Sequence, residues 1–476
     1  MILYKGELYE PSRQAELLER MEKDINETRA NKRLDISKVI TAVDSIGKKL
    51  KGGVYQKKIE GLGMEGVEGQ IQSIAAMAAR ESLEYRLEVE LGELKESLFG
   101  AQPIKSRQPA NGERRINGGL PMENANSLET VETCVYPLGT LFHIAAGNRE
   151  GLPVYSVLEG LLTGNINILK LPQADQGLSI EILQALLEEE PSLTEFIYVF
   201  DTPSSDLEAM CAMARMSDGI VVWGGDEAVT AVRRFAPVGA RLIEWGHKLS
   251  FAYLSGLDEI KEESLDRELR ALAEHIVSTR QVLCSSCQVI YLDWQEKEKL
   301  HGFCRKFLPY LEQAASKFPA RSLGMRAELS MRRYCETLQK IIAREEVSER
   351  QIFAGKNCSL TACEDMELEL SEMFGNCLVK CLPEEMMMDV LRRKKGYLQT
   401  AGLLCPERKR RELERCLAAC GVTRITPVGK MSDTSLGEAH DGDYPLRRYV
   451  RVVDSCYCPR SGMRINCAFR ENMMQE

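Results

Sequence analysis

Leu138-Gly139-Thr140-Leu141-Phe142-His143-Ile144-Ala145-Ala146-Gly147-Asn148 reads as a short apolar strand that ends in small residues. The rhythm that follows it decides the fold. Leu152 to Leu162 reads as a helix, Asn167-Ile168-Leu169-Lys170-Leu171-Pro172 as a strand and Leu178 to Glu188 as a helix. Phe196-Ile197-Tyr198-Val199-Phe200 is then a strand, Asp206 to Met216 a helix, and Gly219-Ile220-Val221-Val222-Trp223 a strand. Strand and helix alternate at spacings that suit right-handed parallel crossovers, which predicts an open doubly wound sheet. Ligands bind such sheets at the carboxyl ends of the strands. Asn148, Lys170 and the pair Gly224-Gly225 fall at those ends.

Upstream, residues 1 to about 112 read as mainly helical and charged. Ile71, Ile74, Ala75, Ala78, Leu83, Leu87, Leu91, Leu94 and Leu98 recur mostly at three and four, one apolar packing stripe on a long helix. Gly61-Leu62-Gly63-Met64-Glu65-Gly66 has the glycine spacing of a dinucleotide turn. Its preceding residues, Tyr55 to Glu60, make a poor buried strand, so it reads as a loop. Gln108 to Asn126, rich in Gly, Asn and Arg, reads as a linker or exposed crossing.

Downstream, Arg241 to Leu254 gives two strand-like pieces around a polar turn, and helices dominate Lys261 to Glu346. They are broken by Thr279-Arg280-Gln281-Val282-Leu283-Cys284-Ser285-Ser286-Cys287-Gln288-Val289-Ile290-Tyr291-Leu292, where a helix gives way to a β-branched strand. Cysteine attacks only as its thiolate and needs a partly exposed turn with donors or positive charge nearby, which this junction offers Cys284. The competing reading is a small buried hydrophobe. Cys377 to Leu382 and Thr423 to Val428 add strands, giving a second α/β domain that carries the thiol. The residues from Asp454 onward read as disordered or loosely attached.

The composition narrows the function. A chain of 476 residues predicts two or three domains, and 44% hydrophobic with 28% charged residues is ordinary for a soluble protein. A formal net charge of -9 argues against a general nucleic-acid binder or a protein held on anionic membrane by charge. No apolar run approaches a membrane span, and Met1 to Gly6 lacks a signal core, so a cytoplasmic protein is expected. The sixteen cysteines are scattered, which predicts reduced thiols rather than a disulfide framework. Cys284 with Cys287, and Cys456 and Cys458 with Cys467, are close groupings that fall short of a zinc site, so no metal is expected. Cys287 reads as a packing residue, because a thioredoxin-like pair wants a helix at its first cysteine.

Six ordered pieces resemble the aldehyde dehydrogenase superfamily: Gly139 through Asn148 with Pro153, Leu162-Thr163-Gly164-Asn165 leading to Lys170, Trp223-Gly224-Gly225, Glu244-Trp245-Gly246-His247-Lys248, Cys284-Ser285-Ser286, and Glu372-Met373-Phe374-Gly375. The sequence looks most like its acyl-CoA reductase branch, the LuxC type that reduces fatty acyl thioesters to aldehydes in bacterial luminescence. Arg424 to Gly429 and His440-Asp441-Gly442 also resemble that branch. The resemblance implies an α/β aldehyde dehydrogenase-like fold with a Rossmann-type nucleotide-binding domain, an α/β catalytic thiol domain and a helical N-terminal region. The expected boundaries are residues 1–120 for that helical region and 121–248 for the nucleotide-binding domain. The thiol domain would take 249–428, and the C-terminal segment 429–476 would carry a candidate oligomerisation strand, Arg447 to Val453.

The resemblance also implies roles. Cys284 is the nucleophile that takes the acyl group, and Asn148 with the Cys284 N–H holds the oxyanion. Lys170 binds the adenosine ribose or its phosphate, Gly224 and Gly225 admit the pyrophosphate, and Glu372 binds the nicotinamide ribose beside Phe374. Gln173 stands where NAD-preferring relatives often carry glutamate, which favours NADPH and leaves NADH open. Glu244 matches the water-activating base of hydrolytic aldehyde dehydrogenases. Yet His247 replaces their usual glycine, and their Gly-Gln pair before the thiol is missing. The expected activity is therefore NADPH-dependent reduction of an acyl-CoA or acyl-protein thioester. The alternatives are an NAD(P)-dependent dehydrogenase that oxidises aldehydes to acids, and a non-catalytic scaffold. An acyl-protein synthetase partner and a homo-oligomer are the implied associations.

Overall fold

The computed structural model describes residues 1–55, 75–98, 105–107, 130–145, 151–173, 175, 177–318, 331, 335, 338 and 350–457. Asn148, the Gly61 to Gly66 pattern, the Gln108 to Asn126 stretch, Cys458 and Cys467 lie outside the described residues. The chain divides into two compact units, one of Met1–Trp223, Glu227–Glu244 and Tyr444–Glu476, the other of Gly224–Asp226 and Trp245–Asp443.

The first unit holds a seven-stranded sheet. Its spatial order is Glu7–Tyr9, Ile2–Tyr4, Ile197–Phe200, Ile166–Lys170, Thr140–Ile144, Gly219–Trp223 and Arg241–Trp245. Thr140–Ile144 pairs in parallel with Ile166–Lys170 on one side and Gly219–Trp223 on the other. Every residue of Thr140–Ile144 and Ile166–Lys170 is buried, as expected of parallel strands covered on both faces. Because the strand order reverses at Thr140–Ile144, the crevice at its carboxyl end is the topological switch point.

The helical N-terminal region begins with a hairpin that the sequence reading missed. Ile2–Tyr4 and Glu7–Tyr9 pair antiparallel, and Ile2–Tyr4 adds antiparallel to Ile197–Phe200. Between them Lys5 and Gly6 take φ of 47° and 79°, the two left-handed residues of a tight hairpin turn. The helices Gln14–Asn31 and Ile36–Lys51 follow. The apolar stripe is not on one long helix. Arg80–Leu91 starts after extended Ala79 and stops at Gly92, whose φ of 57° breaks the turn, and a separate short helix, Lys95–Leu98, carries Leu98.

The second unit has its own seven-stranded sheet, in the order Arg350–Ala354, Ser359–Cys363, Asn376–Cys381, Cys287–Leu292, Leu249–Leu254, Leu398–Leu404 and Arg424–Thr426. Only its Arg350–Ala354 edge is antiparallel. Leu269 and Leu272 of helix Glu262–Ser278 pack with Phe303 and Phe307 of helix Lys297–Lys317 in one core. Met387 and Leu391 pack with Leu413 and Leu417 of helix Glu407–Cys420 in another. A three-stranded sheet of Lys105–Arg107, Thr130–Pro137 and Val450–Tyr457 belongs to the first unit. Asp454 to Tyr457, read as loose from the sequence, are therefore strand, paired with Thr130 to Thr133. Val450–Tyr457 is an edge strand, and Val452 and Val453 are exposed on it.

Candidate active site

Cys284 sits in the second unit, in the turn between helix Glu262–Ser278 and strand Cys287–Leu292. It is exposed, as is Cys335, whereas Cys287, Cys304, Cys358, Cys363, Cys377, Cys405 and Cys420 are buried. Burial pushes the thiols of Cys304 and Cys420 up to about 12 and those of Cys358, Cys363 and Cys381 up to about 11. A thiolate is disfavoured at all of these, so the exposed Cys284 has the setting a nucleophile requires.

The turn around Cys284 is fastened at many points. Ser250, fully buried on strand Leu249–Leu254, donates from Oγ to the Cys284 carbonyl at 2.6 Å and accepts the Thr400 N–H at 3.0 Å. Leu283 N–H donates to Ser286 Oγ at 3.1 Å, and the hydroxyls of Ser285 and Ser432 meet at 2.8 Å. His275 accepts the Cys287 N–H on Nε2 at 3.3 Å, and burial lowers its pKa to about 4, which keeps it a neutral acceptor.

A second turn, Glu372 to Gly375, leads into strand Asn376–Cys381 and is tied to the thiol turn. Gln281 donates from Nε2 to the Cys287 carbonyl at 3.0 Å and to Ser371 Oγ at 2.9 Å, while its Oε1 accepts the Gly375 N–H at 3.1 Å. Gln288 donates to the Gln281 carbonyl at 2.8 Å and accepts from Ser371 Oγ at 2.7 Å. Sequence reasoning passed over Ser250, Gln281, Gln288 and Ser371. One signal was available: Gln288 interrupts an apolar strand, and a polar side chain buried there needs partners.

The other candidates fall as follows. Lys170 ends strand Ile166–Lys170, is 5% exposed and donates from Nζ to Ser204 Oγ at 3.0 Å. Burial lowers its pKa and the Asp201 carboxylate raises it. Gly224 follows strand Gly219–Trp223 and donates its N–H to the Trp245 carbonyl at 3.2 Å. A side chain added at Gly225 would meet open space, so internal packing does not demand glycine there. Glu372 and Phe374 are half-buried. Glu244, on strand Arg241–Trp245, is gripped by Arg233, whose Nε and Nη2 each reach one carboxylate oxygen at 2.6 Å. His247 stacks obliquely near Tyr397, and burial lowers its pKa. Lys170 and Glu244 belong to the first unit, and Cys284, Gly224, Gly225, Glu372 and Phe374 to the second.

Within the first unit, the buried amine of Lys170 at a strand end is a donor of the kind that suits a ribose hydroxyl. Among the described residues no group of three or more His, Cys, Asp or Glu could hold a metal ion. No described helix is long and apolar enough to cross a membrane.

The profile of a protein family described as acyl-CoA reductase, LuxC, matches residues 124–452. The long-chain acyl-protein thioester reductase of Vibrio harveyi is 25% identical over 325 residues, 67% of this chain and 64% of that protein. Long-chain acyl-protein thioester reductase 2 of Photobacterium leiognathi is 24% identical over 327 residues, with the same coverages of 67% and 64%. The match thus spans just under two thirds of these relatives. In three dimensions the chain is similar to a glyceraldehyde-3-phosphate dehydrogenase from Methanocaldococcus jannaschii complexed with NADP. That similarity has a TM-score of 0.61, 12% identity and coverage of 95% of each chain. An aldehyde dehydrogenase from Physcomitrella patens, in complex with the product succinate, gives a TM-score of 0.63 at 12% identity, covering 94% of this chain and 92% of that one. At these identities the likeness speaks for the fold, which is that of the aldehyde dehydrogenases.

Proposed function

Since the chain belongs to the LuxC acyl-CoA reductase family, we propose that it reduces a long-chain acyl thioester to an aldehyde through an acyl-enzyme on Cys284. The observation that carries this reading is an exposed thiol, within the family's span, on a turn fastened by Ser250, His275 and Ser432, while Cys287 three residues on is buried. Fastening the turn holds the sulfur for attack without reorganisation.

The chemistry divides into two halves. The Cys284 thiolate attacks the thioester carbonyl carbon, a new C–S bond forms, and the donor's thiol leaves with its electron pair and takes up a proton. Asn148 and the Cys284 N–H are the proposed donors to the oxyanion. Lys170, Gly224, Gly225 and Glu372, with Phe374 alongside, would hold a reduced nicotinamide dinucleotide, whose chemistry would be to supply a hydride to the acyl carbon. Collapse of the resulting oxyanion re-forms a carbonyl, breaks the Cys284 C–S bond and releases aldehyde and thiolate.

NADPH is the preferred cofactor in this reading, because neutral Gln173 adds no charge against a 2′-phosphate. The Asp201 carboxylate acting on Lys170 pulls the other way, so NADH is the necessary comparison. Acyl-CoA and acyl-protein thioesters are the proposed donors, an acyl-protein synthetase the proposed partner, and Val450–Tyr457 the proposed oligomerisation strand. In the structure Glu244 is engaged by Arg233 on both carboxylate oxygens, so the acid-forming alternative would draw on a carboxylate that already has a partner.

The test is nicotinamide absorbance with long-chain acyl-CoA and NADPH or NADH. The parent protein should consume cofactor and form aldehyde, and Cys284→Ala should do neither. Consumption that persists in Cys284→Ala would remove the acyl-cysteine. Acid formed from aldehyde and oxidised cofactor, with no reductase activity, would move the assignment to the hydrolytic dehydrogenase.

A further inference from the structure

Six non-glycine residues among those described have left-handed backbones, and four of them lie in two facing turns. Arg280 and Gln281, with φ of 52° and 59°, precede Cys284, and Met373 and Phe374, with φ of 58° and 51°, follow Glu372. Each such residue costs roughly 1–2 kcal/mol and persists only where its surroundings over-determine it. Here the strained residues hold one another. Phe374 N–H donates to the Arg280 carbonyl at 3.0 Å. The Met373 N–H donates to Ser371 Oγ at 3.1 Å, and the Ser371 N–H reaches Gln288 Oε1 at 3.2 Å. With the Gln281 bonds to Cys287, Ser371 and Gly375, one amide side chain touches both turns. Gln281, Gln288 and Ser371 are 1%, 3% and 7% exposed, so water does not compete for these bonds.

We infer that Gln281, Gln288 and Ser371 form a frame that sets the register of the thiol turn against the Glu372 turn, and so act as positioning residues for reduction of the acyl-enzyme. This deepens the proposed function and rests on it. The frame is separable from what holds Cys284 for attack. Ser250, His275 and Ser432 fasten the thiol turn to a strand, a helix and a turn through bonds that do not involve residues 371 to 375. Loss of the frame therefore leaves the thiol in place but frees the Glu372 turn to shift relative to it. Acylation needs the thiol and its oxyanion donors, whereas reduction also needs the acyl carbon aligned with whatever Glu372 holds. Because the three side chains are uncharged, they fix geometry without imposing a charge on the thiol.

The experiment measures the two half-reactions separately in the parent, Gln281→Met, Ser371→Ala and Ser371→Thr, after thermal melts establish folding. Acylation by long-chain acyl-CoA without nicotinamide is followed by CoA thiol release and by the mass of the acyl-enzyme. Decay of preformed acyl-enzyme is then followed after NADPH is added. Gln281→Met and Ser371→Ala should acylate within about threefold of the parent but decay about 100-fold more slowly, the penalty of a misplacement near 1 Å. Ser371→Thr, which keeps the hydroxyl, should recover most of that loss. Should Gln281→Met not fold, Ser371→Ala, which deletes one hydroxyl, carries the comparison. Half-reactions that fall in step, or a decay rate equal to the parent's, would overturn the frame while leaving the proposed function standing. A parent that takes no acyl group at Cys284 would overturn that function and the frame with it.

Discussion

The buried polar network beneath the C-terminal segment and the one beneath the thiol turn are made of different chemistry. In the first unit Arg86 reaches Glu90 at 2.6 Å and also Glu159, and both carboxylates are 1% exposed. Glu90 in turn accepts the Leu446 N–H at 2.7 Å, and Tyr449 donates to Glu159 at 3.1 Å, so the charges staple residues near 446 onto helices Arg80–Leu91 and Leu152–Leu162. The second unit's network at Gln281 has no formal charge. Where that unit does bury a charge, Lys380 with Asp365 and Glu369, the strand involved is Asn376–Cys381 and the residue lies near its carboxyl end, while Gly375 and the Gln281 frame meet its amino end. Buried charge carries a large desolvation cost and shifts the titration of its neighbours. It serves as a staple away from the chemistry, and neutral amides serve beside a nucleophile whose ionisation matters.

The contrast breaks most visibly at Arg86. Its removal strands two buried carboxylates, so Arg86→Leu should destabilise the protein by about 3–5 kcal/mol near neutral pH. Desolvation already raises the Glu90 pKa with Arg86 present. Without the cation the Glu90 carboxylate titrates higher still, so stability should be lost as pH rises and partly recovered toward pH ~5. Chemical denaturation across pH measures this, and Cys284 alkylation per folded molecule should stay at the parent value. Equal loss at all pH values would mean that Arg86 acts through packing alone.

A smaller effect comes from one buried histidine in each unit. Burial lowers His143 and His275 from 6.5 to about 4. The unfolded chain then binds protons that the folded chain refuses, so their contribution is complete above about pH 6.5 and is lost as pH falls toward 4. The loss is on the order of a few kcal/mol for each histidine over that window. His143 lies in a chain of bonds, from Trp223 Nε1 to Ser156 Oγ at 3.0 Å, Ser156 to His143 Nδ1 at 2.7 Å, and His143 Nε2 to Asn167 Oδ1 at 3.0 Å. His275→Gln should flatten the acid limb of the stability curve. An unchanged limb would show that His275 is not neutral in the folded state.

What was legible in the sequence divides along the same physical line. The alternation from Leu138 to Trp223 declares the doubly wound sheet because period and spacing are local properties, and Cys284 is legible because a helix stops and a strand starts beside it. The Lys5-Gly6 hairpin is also local, but its strands are only three residues each, too short for alternation to declare them. The Gln281, Gln288 and Ser371 frame was not legible, because residues 281 and 371 meet only through the sheet order that sets Cys287–Leu292 beside Asn376–Cys381. Arg233 as the partner of Glu244 was hidden for the same reason. A side chain's partner depends on tertiary register, which no window of sequence contains.

Glu244 gives the smallest and sharpest of these tests. Both carboxylate oxygens are held by one guanidinium, yet the Arg233 side chain is 62% exposed and that of Glu244 24%, so water weakens the pair. Such pairs are worth about 0–1 kcal/mol. Glu244→Gln should therefore change stability by less than about 1 kcal/mol. If Glu244 only anchors Arg233, aldehyde formation should also change by less than about twofold, since a proton-transfer role would be worth about 100-fold or more. Arg233→Met separates the possibilities further, because it releases the carboxylate without deleting it. Acid product that rises in Arg233→Met and vanishes in the double variant with Glu244→Gln would identify Glu244 as a base held in check by Arg233. Acid product at the parent level in both would leave Glu244 as a strand residue whose charge serves its neighbour.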